Sequence, residues 1–196
     1  AAAHALTLNM LNAGMSTVQL SGLSATTAAD GLVLNNLAAG TALSMSSATD
    51  LDLTANYVAA ATVGTTALGT AETVTVSLNG VGATAAGDSV LTVAAGFETM
   101  ALSSNTSASV VGDLVFGGTA LNITGDGTLT LTNIDDVTTT VDANAFTGDV
   151  VVGGIGAINF IGTGGSGSDT YDFTGGNPDV NDVVNGGEGT DVLQVG

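Results

Sequence analysis

Apolar and polar residues alternate in short bursts along most of this chain. Leu6-Thr7-Leu8, Val74-Thr75-Val76-Ser77-Leu78, Leu121-Asn122-Ile123-Thr124 and Leu129-Thr130-Leu131-Thr132 all repeat with a period of two. That period is a strand's, because successive side chains leave a strand on opposite faces. Short β-branched or alternating runs also occur at 17–20, 32–34, 51–54, 90–93, 100–103, 114–116, 137–141, 150–152 and 158–161. Gly, Asn, Asp or Ser separates them, often at about ten-residue intervals, which is the spacing of an all-β array. The prediction is an all-β fold of the parallel β-helix or β-roll solenoid type, with Leu, Val and Ile inward and Thr, Asn and Ser outward. A β-sandwich has the same local pattern. The absence of Trp and the abundance of small residues favour the solenoid's thin aliphatic core. Ala38–Ser47 and Ala55–Ala61 are rich in Ala and Leu and read as single helical turns or loops.

Charge narrows the function. The chain has 196 residues, no Lys, no Arg and 18 acids, for a net charge of −18. Nothing in it neutralises phosphates, so nucleic acid is excluded as a partner, and an anionic membrane surface is disfavoured. Its acids must be solvated, hydrogen-bonded or bound to cations, and divalent cations would relieve their mutual repulsion. Six acids lie in residues 1–112 and twelve in 113–196. There is no cysteine, hence no disulfide. Polar residues break every apolar run well short of the ~20 residues of a transmembrane helix. The chain opens on Ala1 with no basic start or apolar run. It therefore reads as an internal piece of a longer protein.

Two loops carry candidate chemistry. Gly164-Gly165-Ser166-Gly167-Ser168-Asp169-Thr170-Tyr171-Asp172 and Gly186-Gly187-Glu188-Gly189-Thr190-Asp191-Val192-Leu193-Gln194 both fit G-G-x-G-x-D-x-U-x, with U large and apolar. This is the calcium-binding nonapeptide of RTX proteins. Glycine admits the tight bends that bring carbonyl oxygens to an ion, and aspartate adds a hard charged oxygen. The expected calcium ligands are the carboxylates of Asp169 and Asp191 and the carbonyls of Gly164, Ser166, Gly187 and Gly189. The loops begin at Gly164 and Gly186, further apart than a coil of two nonapeptides would place them. The surplus is assigned to 175–182, where Asp179 and Asp182 line a candidate second site on the opposite edge. Gly153–Ile161 has the same frame with Ile158 in the aspartate position, as in a coil that keeps the turn without the metal. The reading divides the chain into a solenoid array at 1–150 and RTX-like calcium coils at 151–196.

The upstream part has a second resemblance. Gly96-Phe97-Glu98-Thr99-Met100-Ala101-Leu102-Ser103 resembles the G-V-E-T-L-N-L-T strand starts of Gram-negative S-layer proteins and large RTX adhesins. Residues 121–132 have the same character. Together with the loops, the chain resembles calcium-dependent S-layer proteins of Caulobacter type. That resemblance implies a parallel β-helix with calcium in its turns, secretion, and lattice contacts between copies on the cell surface. Contact with cell-surface polysaccharide falls to other parts of such a protein. The alternatives are an RTX adhesin stalk or ligand-binding module, and the β-roll tail of a secreted enzyme. No catalytic constellation is visible. His4 is the sole histidine, and no zinc or P-loop motif occurs. The Asp135-Asp136 pair reads as strand-end acids rather than a glycosidase pair. Thr128, Thr130 and Thr132 read as a plain strand rather than an ice- or sugar-binding row.

Overall fold

The alternating runs fold as parallel strands that wind into a solenoid. The computed structural model describes residues 6–9, 16–22, 31–37, 41–46, 52–57, 73–81, 90–93, 97–134, 137–156, 158–176 and 178–196. Its strands form three sheets, and every described strand pairing is parallel. The first sheet contains β1 (Leu6–Asn9), β3 (Gly31–Leu37), β5 (Asp52–Tyr57), β7 (Val90–Val93) and β10 (Asp113–Phe116), in that order. The second contains β2 (Thr17–Ser21), β4 (Ala42–Ser46), β6 (Thr73–Asn79), β8 (Thr99–Ser104), β11 (Ala120–Gly125), β13 (Thr140–Phe146), β15 (Ile161–Thr163) and β17 (Val183–Asn185). The third contains β9 (Ser109–Val111), β12 (Leu129–Leu131), β14 (Val150–Val152), β16 (Thr170–Phe173) and β18 (Val192–Val195). No described residue is helical.

The eight-stranded sheet takes one strand from each coil and runs the length of the described solenoid. The other two sheets relieve one another along it. β7, β8 and β9, then β10, β11 and β12, form the two coils that touch all three sheets. An isolated bridge from Leu114 to Ile134 carries the first sheet one step further before it ends. The second and third sheets pass residue 150 without a break, through the β13–β15 and β14–β16 pairings.

Register stacks like on like. Leu32, Leu53, Leu91 and Leu114 make one inward column, which starts at the exposed Leu6 of the first described coil. Val74, Met100, Leu121 and Val141 make another, which continues at Gly162 and Val184. Leu53, Met100, Leu121 and Val141 are each at most 1% exposed. Burying each such side chain contributes about 1.5–3 kcal/mol. At Gly162 the missing side chain makes room for the rings of Tyr171 and Phe160, since a Cβ there would meet both. Phe160 lies 6.0 Å from Tyr171 and 5.7 Å from Phe173, ring centre to ring centre. Three aromatic rings thus cluster in the downstream core, beside the gap at Gly162.

Outside the core, Asn9 and Asn35 stand in register, and Asn56 Nδ2 donates to Asn35 Oδ1 at 2.8 Å. This asparagine ladder ties neighbouring coils of the first sheet at one edge.

Several local expectations change. Within Ala38–Ser47, Ala42–Ser46 is a strand, not a helical turn, because Leu43 and Met45 point inward while Ser44 and Ser46 face out; residues 38–40 and 47 lie outside the described set. Residues 55–57 continue β5; residues 58–61 lie outside the described set. The run at 137–141 enters the sheet only at Thr140 and extends to Phe146. Val137 is 44% exposed, and the Thr138 hydroxyl, already in the turn, donates to Gly118 O. The run at 158–161 is strand only from Ile161 onward. The strand β9 carries no alternation long enough to recognise. Thr130 has Val110 and Val151 as its register neighbours, so no threonine rank forms on that sheet. Leu51, His4 and Asp135-Asp136 lie outside the described residues.

Candidate metal centre

Downstream, the coil length settles. Thr99, Ala120, Thr140, Ile161 and Val183 are successive register partners, and each coil advances the numbering by nearly the same amount. The step from Gly164 to Gly186 equals the step from Ile161 to its partner Val183. The interval between the two glycine loops is therefore one ordinary coil, with no insertion. Thr170 and Val192 are register partners, so the two loops stack directly.

The stacking explains the glycines before any metal is considered. A Cβ on Gly148 would run into Gly127 O, one on Gly167 into Gly148 O, and one on Gly189 into Gly167 O. A second column runs from Phe146 O to Gly165 and from Gly165 O to Gly187. Gly187 and Gly189 also have φ of 94° and 105°, where a side chain is strained. The turns close on one another with no room for side chains. As a result, backbone oxygens line the corner.

Asp169 occupies a core position. The inward column reads Ser109, Leu129, Val150, and its next members are Asp169 and Asp191. Asp169 is 0% exposed. A bare carboxylate there would be costly; hydrogen bonds make it tolerable. Its Oδ1 accepts from Val150 N–H at 2.9 Å and its Oδ2 from Gly165 N–H at 2.8 Å. Asp191 repeats half of this one coil on: its Oδ1 accepts from Asp169 N–H at 3.0 Å. Burial pushes the Asp169 carboxyl above its ordinary range, against those two N–H groups, and the charges of Asp191 and Asp149 push the same way.

Two further aspartates share the corner without belonging to a G-G-x-G-x-D loop. Asp149 Oδ1 accepts from Ser168 N–H at 2.7 Å, and Asp126 Oδ1 accepts from Thr106 N–H at 2.8 Å. The latter bond holds Thr106 at φ 66°, the single non-glycine residue in the left-handed region among the described residues. A signal for both was present: Gly-Asp recurs at 125–126 and 148–149, in successive coils.

The expected ligands are partly brought together. Asp169 and Asp191 stack, and the carbonyls of Gly164 and Gly165 lie beside Gly187. Ser166 and Gly187, with Asn144, Gly165 and Glu188, line an open pocket of 330 Å³. Gly189 stacks on Gly167 O in the neighbouring column. Asp179 and Asp182 sit at the opposite corner. There Asp182 Oδ1 accepts from Phe160 N–H at 2.8 Å and Oδ2 from Asp179 N–H at 2.6 Å, while Asp179 Oδ1 accepts from Asn181 N–H at 2.7 Å. Gly176 of that corner packs on Ile155 O and Gly156 O. The degenerate frame beginning at Gly153 thus stacks under residues 175–182 and not under the Gly164 loop.

The donor set consists of carboxylates, carbonyls, a hydroxyl and amide oxygens, which suits a hard cation such as calcium. Among the described residues no three His, Cys, Asp or Glu side chains converge, so backbone oxygens must supply most of any shell. The Tyr171 hydroxyl is buried with no hydrogen-bond partner. Burial, then the charges of Asp169, Asp191 and Asp142, push the phenol well above its usual range. The downstream corner thus concentrates negative charge in a chain that has no Lys or Arg to neutralise it.

No described helix is long and apolar enough to cross a membrane. Comparison with protein-family models, with curated proteins and with solved structures returned no match.

Proposed function

We propose that this chain is a non-catalytic structural module of a secreted surface layer, an RTX-like solenoid stapled by calcium and built into a two-dimensional lattice outside the cell. The observation that carries this reading is Asp169. It is a fully buried carboxylate stacked against Asp191, in a chain of net charge −18 with no Lys or Arg. Calcium held by Asp169, Asp191 and the loop carbonyls of Gly164, Ser166 and Gly187 would supply the missing positive charge. The opposite corner, with Asp179 and Asp182, is the secondary candidate.

Affinities of extracellular calcium modules are about 10⁻⁴–10⁻³ M. At a free concentration tenfold above Kd, binding stabilises by about 1.4 kcal/mol per site. Against a domain stability of ~5–15 kcal/mol, a few such sites decide whether the coils hold outside the cell. The test is thermal melting in millimolar calcium and in EGTA, with electron microscopy of the same samples. The expected result is a higher melting temperature and ordered sheets with calcium, and neither with magnesium alone. Identical melting in calcium and EGTA would refute the staple; calcium-loaded protein that stays monomeric at high concentration would refute the lattice.

A further inference from the structure

The described acids of this solenoid stand mainly at its corners, and a flank five strands wide carries none. Strands β2, β4, β6, β8 and β11 are consecutive in the eight-stranded sheet and contain no Asp or Glu. Their outward residues form straight rows. Ser44, Ser77 and Ser103 are register partners in one row, and Thr75, Ala101 and Asn122 in the next. The ladder runs unbroken along the full length of β8, both to β6 and to β11, so no bulge interrupts the rows. The first sheet, by contrast, has a register shift between Leu34 and Leu37. Acids border the flank: Glu98 precedes β8, Asp126 follows β11, and Asp142 is the first carboxylate on the sheet beyond it.

We infer that this uncharged flank of β2–β11 is a contact face, and that its occupant is the same flank of a second copy. The choice of partner rests on the surface-layer reading and on charge. Two molecules of charge −18 repel wherever their corners meet, and like charges brought together cost several kcal/mol. On this flank they meet without opposing carboxylates at the centre, and the acids fall at the rim, where solvent and cations screen them. The face has no aromatic side chain on which a sugar ring would stack. Regular rows of small hydroxyl, methyl and amide groups instead fit a surface of their own kind.

The area sets the strength. Five strands at ~4.8 Å spacing and five to six residues at ~3.3 Å make roughly 400–500 Å² on each copy. A pair then buries roughly 800–1,000 Å², below the ~1,600 Å² of a standard stable complex. Such a contact is weak alone and effective when repeated in an array.

The chain has no cysteine, so a single one reports on the face directly. Ser77→Cys is compared with Thr92→Cys, which places the probe on the outer face of the first sheet. Each is treated with a bismaleimide spanning the ~10 Å between packed sheets. The expected result is at least about tenfold more cross-linked dimer from Ser77→Cys, and loss of that excess when Ser103→Asp is added, because like charges then oppose across the face. Calcium-dependent sheets are scored separately by microscopy. Equal cross-linking from both positions overturns the face, even if sheets form and the lattice reading survives. Selective cross-linking without sheets upholds the face and sinks the lattice reading. Protection of Ser77→Cys by dextran, without self-cross-linking, overturns the second copy as occupant in favour of a neutral glycan.

Discussion

The upstream and downstream coils of this solenoid solve the same stacking problem differently. In the first sheet the leucine column steps from Leu6 to Leu32, Leu53, Leu91 and Leu114, and the steps are uneven, the longest running from Leu53 to Leu91. Apolar side chains hold those coils, and they tolerate connections of very different length, as the slow growth of loop-closure cost allows. Downstream the steps become nearly equal, as from Thr140 to Ile161 and from Thr170 to Val192, because the corners themselves pack. A glycine against a carbonyl and a carboxylate against an N–H demand matching positions in each coil. Apolar contact fixes only which face is inside, whereas a hydrogen-bonded corner also fixes coil length. That fixed length is what places Asp169 under Asp191.

Substitutions can break this contrast, and the largest expected effect is upstream of the acidic corner. Phe116, 1% exposed, fills the space left by Gly118. Phe116→Ala should cost about 3–5 kcal/mol in urea unfolding, equally in calcium and in EGTA. Asp169→Ala comes next. It strands two N–H groups at about 1–3 kcal/mol each, partly offset by relief of carboxylate repulsion. Unlike the first, it should also abolish most of the calcium-dependent shift in melting. A calcium response that survives Asp169→Ala undamaged would detach the metal from this column. Gly167→Ala should cost about 1–3 kcal/mol by forcing a Cβ onto Gly148 O. Asn56→Ala, which breaks the asparagine ladder of the upstream part, should cost about 0.5–1.5 kcal/mol.

The subtlest effect is one of sign. Burial raises the Asp169 carboxyl above 3.8, its value in the unfolded chain. The folded state then binds that proton more tightly, so this group's contribution is greatest at low pH and is lost as pH rises through the folded value. In EGTA, melting temperature should therefore climb as pH falls from neutral into the mildly acidic range. In calcium the slope should reverse, since protons then compete with the metal. The same slope in both buffers would show that the column holds no ion.

The fold was legible because strand alternation is local. The short alternating runs were enough to point to a parallel solenoid, and most became strands. Ala42–Ser46 misled because alanine at its edge outweighed the Leu43–Met45 alternation, and packing overrides propensity. The relay from the first sheet to the third left no local trace. The G-G-x-G-x-D loops were legible as turns, but their coil length was not. The motif suggested two nonapeptides to a coil, while the true step depends on partners in the next coil. Asp149 and Asp126 escaped for the same reason, since their N–H partners, Ser168 and Thr106, lie a whole coil away.

The eight-stranded sheet has a mechanical consequence. Its strands lie across the solenoid axis, and their backbone hydrogen bonds run along it. A pull on the two ends of the described solenoid is therefore carried through successive rungs in series. The tether ruptures at its weakest rung, however strong the others are. A bead of metal at one corner would toughen the fibre only if it reinforced that rung.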